Sequence, residues 1–286
     1  MKMSRIVYVN GDYVPEEEAK ISVFDRGFLM ADAVYEVTSV LDGKLCDYAG
    51  HVERLHRSMN ELEMDAPCSD DELLEIHREL VRRNDLTEGL IYLQVTRGAA
   101  DRDFVWPGEA TPGLVLFTQN KPLQQTAAAT NGIKVVSIED ERWGRRDIKT
   151  TQLLFPSWAK MQAKKQGADD AWLVEDGTVN EGTSNNAYIV TKAGAIVTRP
   201  LSNSILHGIT RKAVLRLAAE AQMKVEERPF TIAEAQDAAE AFCTAASTFV
   251  GPIVSIDGTT LGDGTPGPMS KRLREIYIED AKANAI

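Results

Sequence analysis

Lys149 stands in the run Asp147-Ile148-Lys149-Thr150-Thr151-Gln152-Leu153-Leu154, and Glu181-Gly182-Thr183-Ser184-Asn185-Asn186 follows about one βαβ length later. The lysine falls between a β-like run beginning at Ile133 and an amphipathic helix. The glutamate sits at a turn crowded with small hydroxyl and amide side chains. An amine condenses with an aldehyde to form a Schiff base, and a separate carboxylate can hold a pyridine nitrogen protonated so that the ring accepts electrons. Those are the two demands of pyridoxal phosphate. Taken singly, Lys149 reads as a solvated surface charge and Glu181 as a turn residue, so the pairing carries the signal.

The elements that must position this pair follow from periodicity and turn chemistry. Ile6 to Val9 and Asp12 to Val14 read as a hairpin across Asn10-Gly11, and Val34 to Leu41 against Lys44 to Tyr48 as a second across Asp42-Gly43. Helical spacing marks Gly50 to Met64, and Ser69 with Glu72 reads as a capping box opening a second helix. Strands are expected at Leu90 to Thr96 and Gly113 to Thr118. Lys121 to Gly132 is polar and without periodicity, which predicts a linker. Beyond it come a strand at 133–138, a helix at about 153–166, a strand at Ala171 to Glu175, a hairpin around Gly194, a helix from Ile209 to Ala221 and a last helix from Ser270 to Ala283. The expected fold class is α+β (mixed α/β), with a small domain at 1–120, the linker at 121–132 and a larger domain at 133–286.

Bulk properties narrow the class of partner. The chain has 286 residues, 43% of them hydrophobic and 26% charged, enough for two modest cores. A net charge of −11 argues against nucleic acid, which needs a basic stripe. Arg142 to Arg146 is the most basic run and reads as a solvated loop. No stretch is long and apolar enough to span a membrane, and Met1-Lys2-Met3-Ser4 leads into a strand without a signal-like apolar region. Cys46, Cys68 and Cys243 are too few and too scattered for a disulfide framework, and no CxxC occurs. The expectation is a cytoplasmic protein without metal.

The motifs around Lys149 and Glu181, with Leu206-His207-Gly208-Ile209-Thr210-Arg211 after them, resemble those of fold-type IV pyridoxal-phosphate enzymes. The resemblance runs from about Tyr8 to about Tyr277 and is nearest to the D-amino-acid transaminases. It implies that Lys149 bonds the cofactor and shuttles a proton, and that Glu181 faces the pyridine nitrogen. It also implies that Arg54, within His51-Val52-Glu53-Arg54-Leu55, grips the phosphate as a fork. Ile209 and Thr210 would offer backbone N–H groups and a hydroxyl at a helix start, and Leu206 would pack on one ring face. Relatives carry a further hydroxyl where Ala246 stands here. Either Ser247 takes over that contact or it is lost.

The same resemblance bears on the substrate. D-amino-acid transaminases trap the α-carboxylate with a tyrosine, an arginine and a histidine. Tyr35 and Arg102 match the first two, whereas the histidine position holds Phe104, which cannot donate a hydrogen bond. Losing one such donor costs about 1–3 kcal/mol, enough to broaden specificity. Val37, Thr183 and Ser184 complete the implied substrate set. The expected reaction moves an amino group from a D-alanine-like donor to 2-oxoglutarate or pyruvate. An (R)-selective amine transaminase is the runner-up, since Phe104, Val105 and Trp106 suit an apolar donor. A branched-chain aminotransferase, an aminodeoxychorismate lyase and a cofactor carrier without turnover are further alternatives. In relatives the Arg102 loop reaches the neighbouring subunit, which implies a homodimer.

Overall fold

The structure, a computed structural model, describes residues 4–286, so the reading of Met1-Lys2-Met3 lies outside the described residues. The chain divides into two compact units. The first comprises the described residues up to Pro122 together with Ile148–Gln152 and Asn284–Ile286, and the second holds Leu123–Asp147 and Leu153–Ala283.

The first unit is a six-stranded antiparallel sheet covered by helices. Its strands are β1 (Ile6–Val9), β2 (Asp12–Pro15), β3 (Ala33–Leu41), β4 (Lys44–Leu45), β5 (Glu88–Thr96) and β6 (Gly113–Asn120), in the order β2-β1-β6-β5-β3-β4. Asn10 and Gly11 turn the first hairpin with positive φ (49° and 106°), and Asp42 and Gly43 turn the second with 52° and 75°, which is why these dipeptides punctuate the sequence. Strand alternation sends Val34, Val40, Ile91, Leu93, Val95, Leu114 and Leu116 into one core. Against it lie α2 (Tyr48–Glu61), through Leu55 and Met59, and α3 (Asp70–Arg83), through Leu73, Ile76 and Leu80. The Ser69 hydroxyl caps α3 by accepting from the Glu72 N–H, and acids in its first turn with Arg82 and Arg83 in its last suit the helix dipole. A short α1 (Arg26–Met30) is capped by Asp25.

The second unit is built on a nine-stranded mixed sheet. A short α4 (Ala127–Asn131) precedes β7 (Ile133–Glu139), then α5 (Leu154–Lys165), β8 (Asp170–Glu175), β9 (Thr178–Gly182), β10 (Asn186–Val190) and β11 (Ile196–Thr198). There follow α6 (Ile209–Glu220), β12 (Val225–Glu227), α7 (Ile232–Gln236), β13 (Glu240–Ala245), β14 (Phe249–Ile256), β15 (Thr259–Thr260) and α8 (Pro268–Ala283). The main path runs β12-β11-β10-β13-β14-β7-β8-β9, with β14, β7 and β8 parallel. Trp172 is fully buried and meets Phe230 edge-on at 5.7 Å. The Glu240 carboxylate accepts the Met269 and Ser270 N–H groups, an anion seated on the first turn of α8.

Two expectations need correction. The stretch expected as a bare linker contains α4, whose first turn is held by Thr126 accepting from the Ala129 N–H. A helix of five residues is too short to show a period. The region after residue 133 is also not one continuous domain. Ile148 is buried in the core of the first unit, and the chain beside it pairs with β3: Tyr35 N–H donates to Lys149 O at 2.9 Å and Thr151 N–H to Ala33 O at 3.1 Å. Ile286 likewise exchanges two backbone hydrogen bonds with Leu45.

His77, buried on α3, donates from Nδ1 to Leu73 O at 2.7 Å and meets Tyr48 edge-on. Burial pushes its imidazole down to about 4 from the ordinary 6.5, against the pull of that carbonyl. Below pH 6.5 the unfolded chain takes up a proton the folded chain refuses, so stability present above 6.5 is lost as the pH falls towards 4. In urea melts across that window His77→Gln should flatten the acid-side loss. A slope identical to the parent would contradict the assignment.

Candidate active site

In the first unit the edge of β3 does two jobs. Its C-terminal end pairs with β4, and its N-terminal end pairs with the Lys149 segment, where Val34 and Thr150 form a bridge. The Lys149 N–H donates to the Ser58 hydroxyl of α2 at 3.3 Å, so the lysine backbone is held from two sides. Its Nζ lies 4.1 Å from the centre of the Tyr35 ring, a cation–π contact. Tyr35 stacks on Tyr92 and Tyr92 on Phe117, an aromatic ladder across β3, β5 and β6, with Val37 on the same face of β3 as Tyr35.

On the opposite face of β3, Glu36 is buried. Arg54 of α2 grips it with a fork, Nε to Oε1 and Nη2 to Oε2, both at 2.7 Å, and His51 Nδ1 lies 2.7 Å from Oε2. Burial alone would raise the Glu36 carboxyl; the Arg54 guanidinium and His51 overcome it and hold the group well below the usual carboxylate range. Two of the Arg54 donors expected to face a phosphate are therefore committed to Glu36.

In the second unit Glu181, at the end of β9, is buried as well. Its Oε1 accepts from Arg142 Nη1 at 2.8 Å, and its Oε2 from Asn186 Nδ2 at 3.0 Å and from the Leu206 N–H at 3.1 Å. Burial raises the Glu181 carboxyl, while Arg142 and the Leu206 amide pull it back. Arg142 also grips both oxygens of Asp140, and Arg146 forks onto Glu175. In place of the solvated loop expected for Arg142 to Arg146, Arg142 and Arg146 enter a largely buried ion network with Asp140 beside them and with Glu175 and Glu181 of β8 and β9, while Trp143 stays exposed. Thr183 is buried with its hydroxyl donating to Asp170 at 2.5 Å, so that hydroxyl is committed away from any substrate, whereas Ser184 is exposed.

Gly208 is the N-cap of α6 and no side chain caps this helix. A Cβ on Gly208 would stand 2.1 Å from Asn186 Oδ1, so only glycine lets the α6 entry lie against the Glu181 network. The first N–H groups of Ile209 and Thr210 are thereby left for an outside acceptor, and Thr210 is buried beside them. Leu206 is part-buried, and Ser247 lies in the turn between β13 and β14.

Arg102 and Phe104 lie on the loop between β5 and β6. Phe104 is 78% exposed, and the Arg102 guanidinium stacks over its ring at 5.3 Å. No hydrogen bond or ring contact joins Arg102 to Tyr35 among the described residues.

The amino-transferase class IV family model matches residues 33–256, which takes in both runs above. The chain belongs to this family. Among relatives of the family, the D-alanine aminotransferase of Staphylococcus aureus is 37% identical over 98% of this chain and 99% of its own length. The D-alanine aminotransferase of Bacillus licheniformis is 38% identical over 94% of each chain. Among solved structures, the branched-chain aminotransferase of Escherichia coli superposes with a TM-score of 0.90 at 24% identity, covering 98% of this chain and 95% of its own, a likeness of fold. A T.th. branched-chain aminotransferase solved with pyridoxamine 5′-phosphate gives 0.88 at 28% identity over the same shares. Within the second unit, a buried carboxylate suited to a ring nitrogen and an uncapped glycine-led helix start suited to a phosphate fit parts of such a group; in the first unit, taken by itself, the anchored Lys149 offers the amine.

Arg142 lets Glu181 keep a charge in a buried place. Replacing it by methionine should lower the stability of the apoprotein by about 3–5 kcal/mol, because a buried carboxylate loses its cation. Arg142→Lys should lose less. A methionine variant as stable as the parent in urea would show that Glu181 does not depend on this pair.

Proposed function

We propose that this class IV aminotransferase uses pyridoxal 5′-phosphate to move an amino group between a small D-amino acid, D-alanine or one like it, and a 2-oxo acid such as 2-oxoglutarate or pyruvate. The observation that carries the reading is the match over nearly the whole chain to D-alanine aminotransferases. Bound pyridoxal phosphate supplies an electron sink for charge developing at the substrate Cα. Lys149 is assigned the covalent anchor and, once freed, the amine that moves a proton at Cα. Its Nζ above the Tyr35 ring supports that role, since the ring orients the amine. Glu181 holds the ring nitrogen protonated. The Ile209 and Thr210 N–H groups, the Thr210 hydroxyl, Arg54 and Ser247 serve the phosphate, and Leu206 packs on the ring.

Tyr35 and Arg102 receive the substrate carboxylate, with Val37, Phe104, Thr183 and Ser184 around the side chain. Thr183 contributes its methyl and backbone, because its hydroxyl serves Asp170. Phe104 in place of a donor favours one second reading, an (R)-selective amine transaminase. We also read the protein as a cytoplasmic homodimer without nucleic-acid or membrane partners. Phe24, just before α1, and Phe28, within it, are exposed, as are Phe104 and Val105 on the loop between β5 and β6; the hydrogen bond from Ala100 N–H to Phe24 O joins the two segments, a surface suited to a second copy. No helix among the described residues is long and apolar enough to cross a membrane.

Holoenzyme mixed separately with D-alanine, L-leucine and (R)-1-phenylethylamine should change its visible absorbance with D-alanine. Response to L-leucine alone would overturn the reading, and response to the amine alone would favour the second. Lys149→Ala should fold but yield no cofactor-bearing peptide after borohydride reduction and mass spectrometry. A labelled peptide elsewhere in the chain would move the anchor.

A further inference from the structure

The loop carrying Arg102 and Phe104 is exposed at its tip but clamped at its root, and the clamp centres on Arg26. This arginine is only 2% exposed. Its Nε donates to Asp32 Oδ2 at 2.7 Å, its Nη1 to the backbone carbonyl of Asp103 at 2.8 Å, and its own N–H to Gly98 O at 2.9 Å. Asp103 stands between the two residues assigned to the substrate. Beside it, Asp25 bridges Ala99, and Arg97 Nε shares Asp32 Oδ2 at 2.9 Å. Arg97 directs its other donors to the carbonyls of Leu62 and Glu63 at the end of α2 and stacks under Trp106 at 4.0 Å. Two buried guanidinium groups thus converge on one carboxylate; Arg97 meets the loop through the Trp106 ring, whereas Arg26 hydrogen-bonds its backbone between Arg102 and Phe104.

We propose that Arg26 is a positioning residue for substrate recognition: by holding the Asp103 carbonyl it fixes where the Arg102 guanidinium presents itself to the substrate carboxylate. This rests on the reading above that Arg102 receives that carboxylate. The chemistry is specific to arginine. A planar fork satisfies Asp32 with one edge and a carbonyl with another, whereas an ammonium on a flexible stem meets one of them at a time. Among the described residues, the segment between Asp101 and Val105 is held by Val105 N–H to Asp103 Oδ1 and by the Arg26 bond to the Asp103 carbonyl, so losing the latter frees the segment.

The test compares folded holoenzymes. Arg26→Lys should raise KM for D-alanine about tenfold, the worth of one well-placed hydrogen bond to a charged group, and leave kcat within about twofold. Amide hydrogen exchange should quicken at residues 101–105 and stay unchanged in β3 and β5. Arg97→Lys, which disturbs the same Asp32 without touching Asp103, should change KM less; a merely structural role would move both variants alike. Where the lysine variant does not fold, Arg26→Gln replaces it. In an Arg102→Met background Arg26→Lys should add no further rise in KM. An unchanged KM with unchanged exchange overturns the proposal, as does a fall in kcat alone. If Arg102→Met itself leaves KM for D-alanine unaltered, the carboxylate reading fails instead, and exchange at 101–105 decides the clamp by itself.

Discussion

A buried carboxylate must be met by a cation, and each unit of this protein is organised around one such pairing. Glu181 is buried in the second unit with Arg142 on one oxygen and two N–H donors on the other. Glu36 is buried in the first with the Arg54 fork and His51. Removing either cation would leave a charge in a low-dielectric interior, a loss of several kcal/mol. The surrounding elements are placed accordingly. Gly208 lacks a side chain so that α6 can start beside the Asn186 that Glu181 also holds, and α2 presents His51 and Arg54 one turn apart towards the buried face of β3.

Backbone anchoring positions the lysine. Lys149 is on no regular element, yet its backbone is fixed by β3 and by the Ser58 hydroxyl, while Ile148 anchors the segment in the core. An amine fixed in this way keeps its side chain free to react while its root stays still, which is how a scaffold lowers the entropic cost of bringing a nucleophile to its target. The aromatic face it rests on continues through Tyr92 and Phe117.

The strands, helices and turns were legible wherever local rules governed them: Asn10-Gly11 and Asp42-Gly43 at hairpins, Ser69 at a helix start, alternation along β3 and β5. The family was legible too, because the runs around Lys149 and Glu181 are contiguous words. What could not be read were contacts between distant residues. Arg142 looks like a solvated charge because its partner Glu181 lies 39 residues away, and Lys149 is drawn into the first unit by Ser58, 91 residues away. Thr183 gave no sign that its hydroxyl serves Asp170. Arg26 sits in a run, Asp25-Arg26-Gly27, whose meaning emerges only when Asp103 is brought to it by the fold.

The handedness of the substrate is the central functional claim, and the Cα proton reports it directly. Holoenzyme in deuterium oxide with D-alanine or L-alanine, observed by proton NMR, should exchange the Cα hydrogen of the D enantiomer and leave that of the L enantiomer in place. Exchange confined to L-alanine would contradict the account.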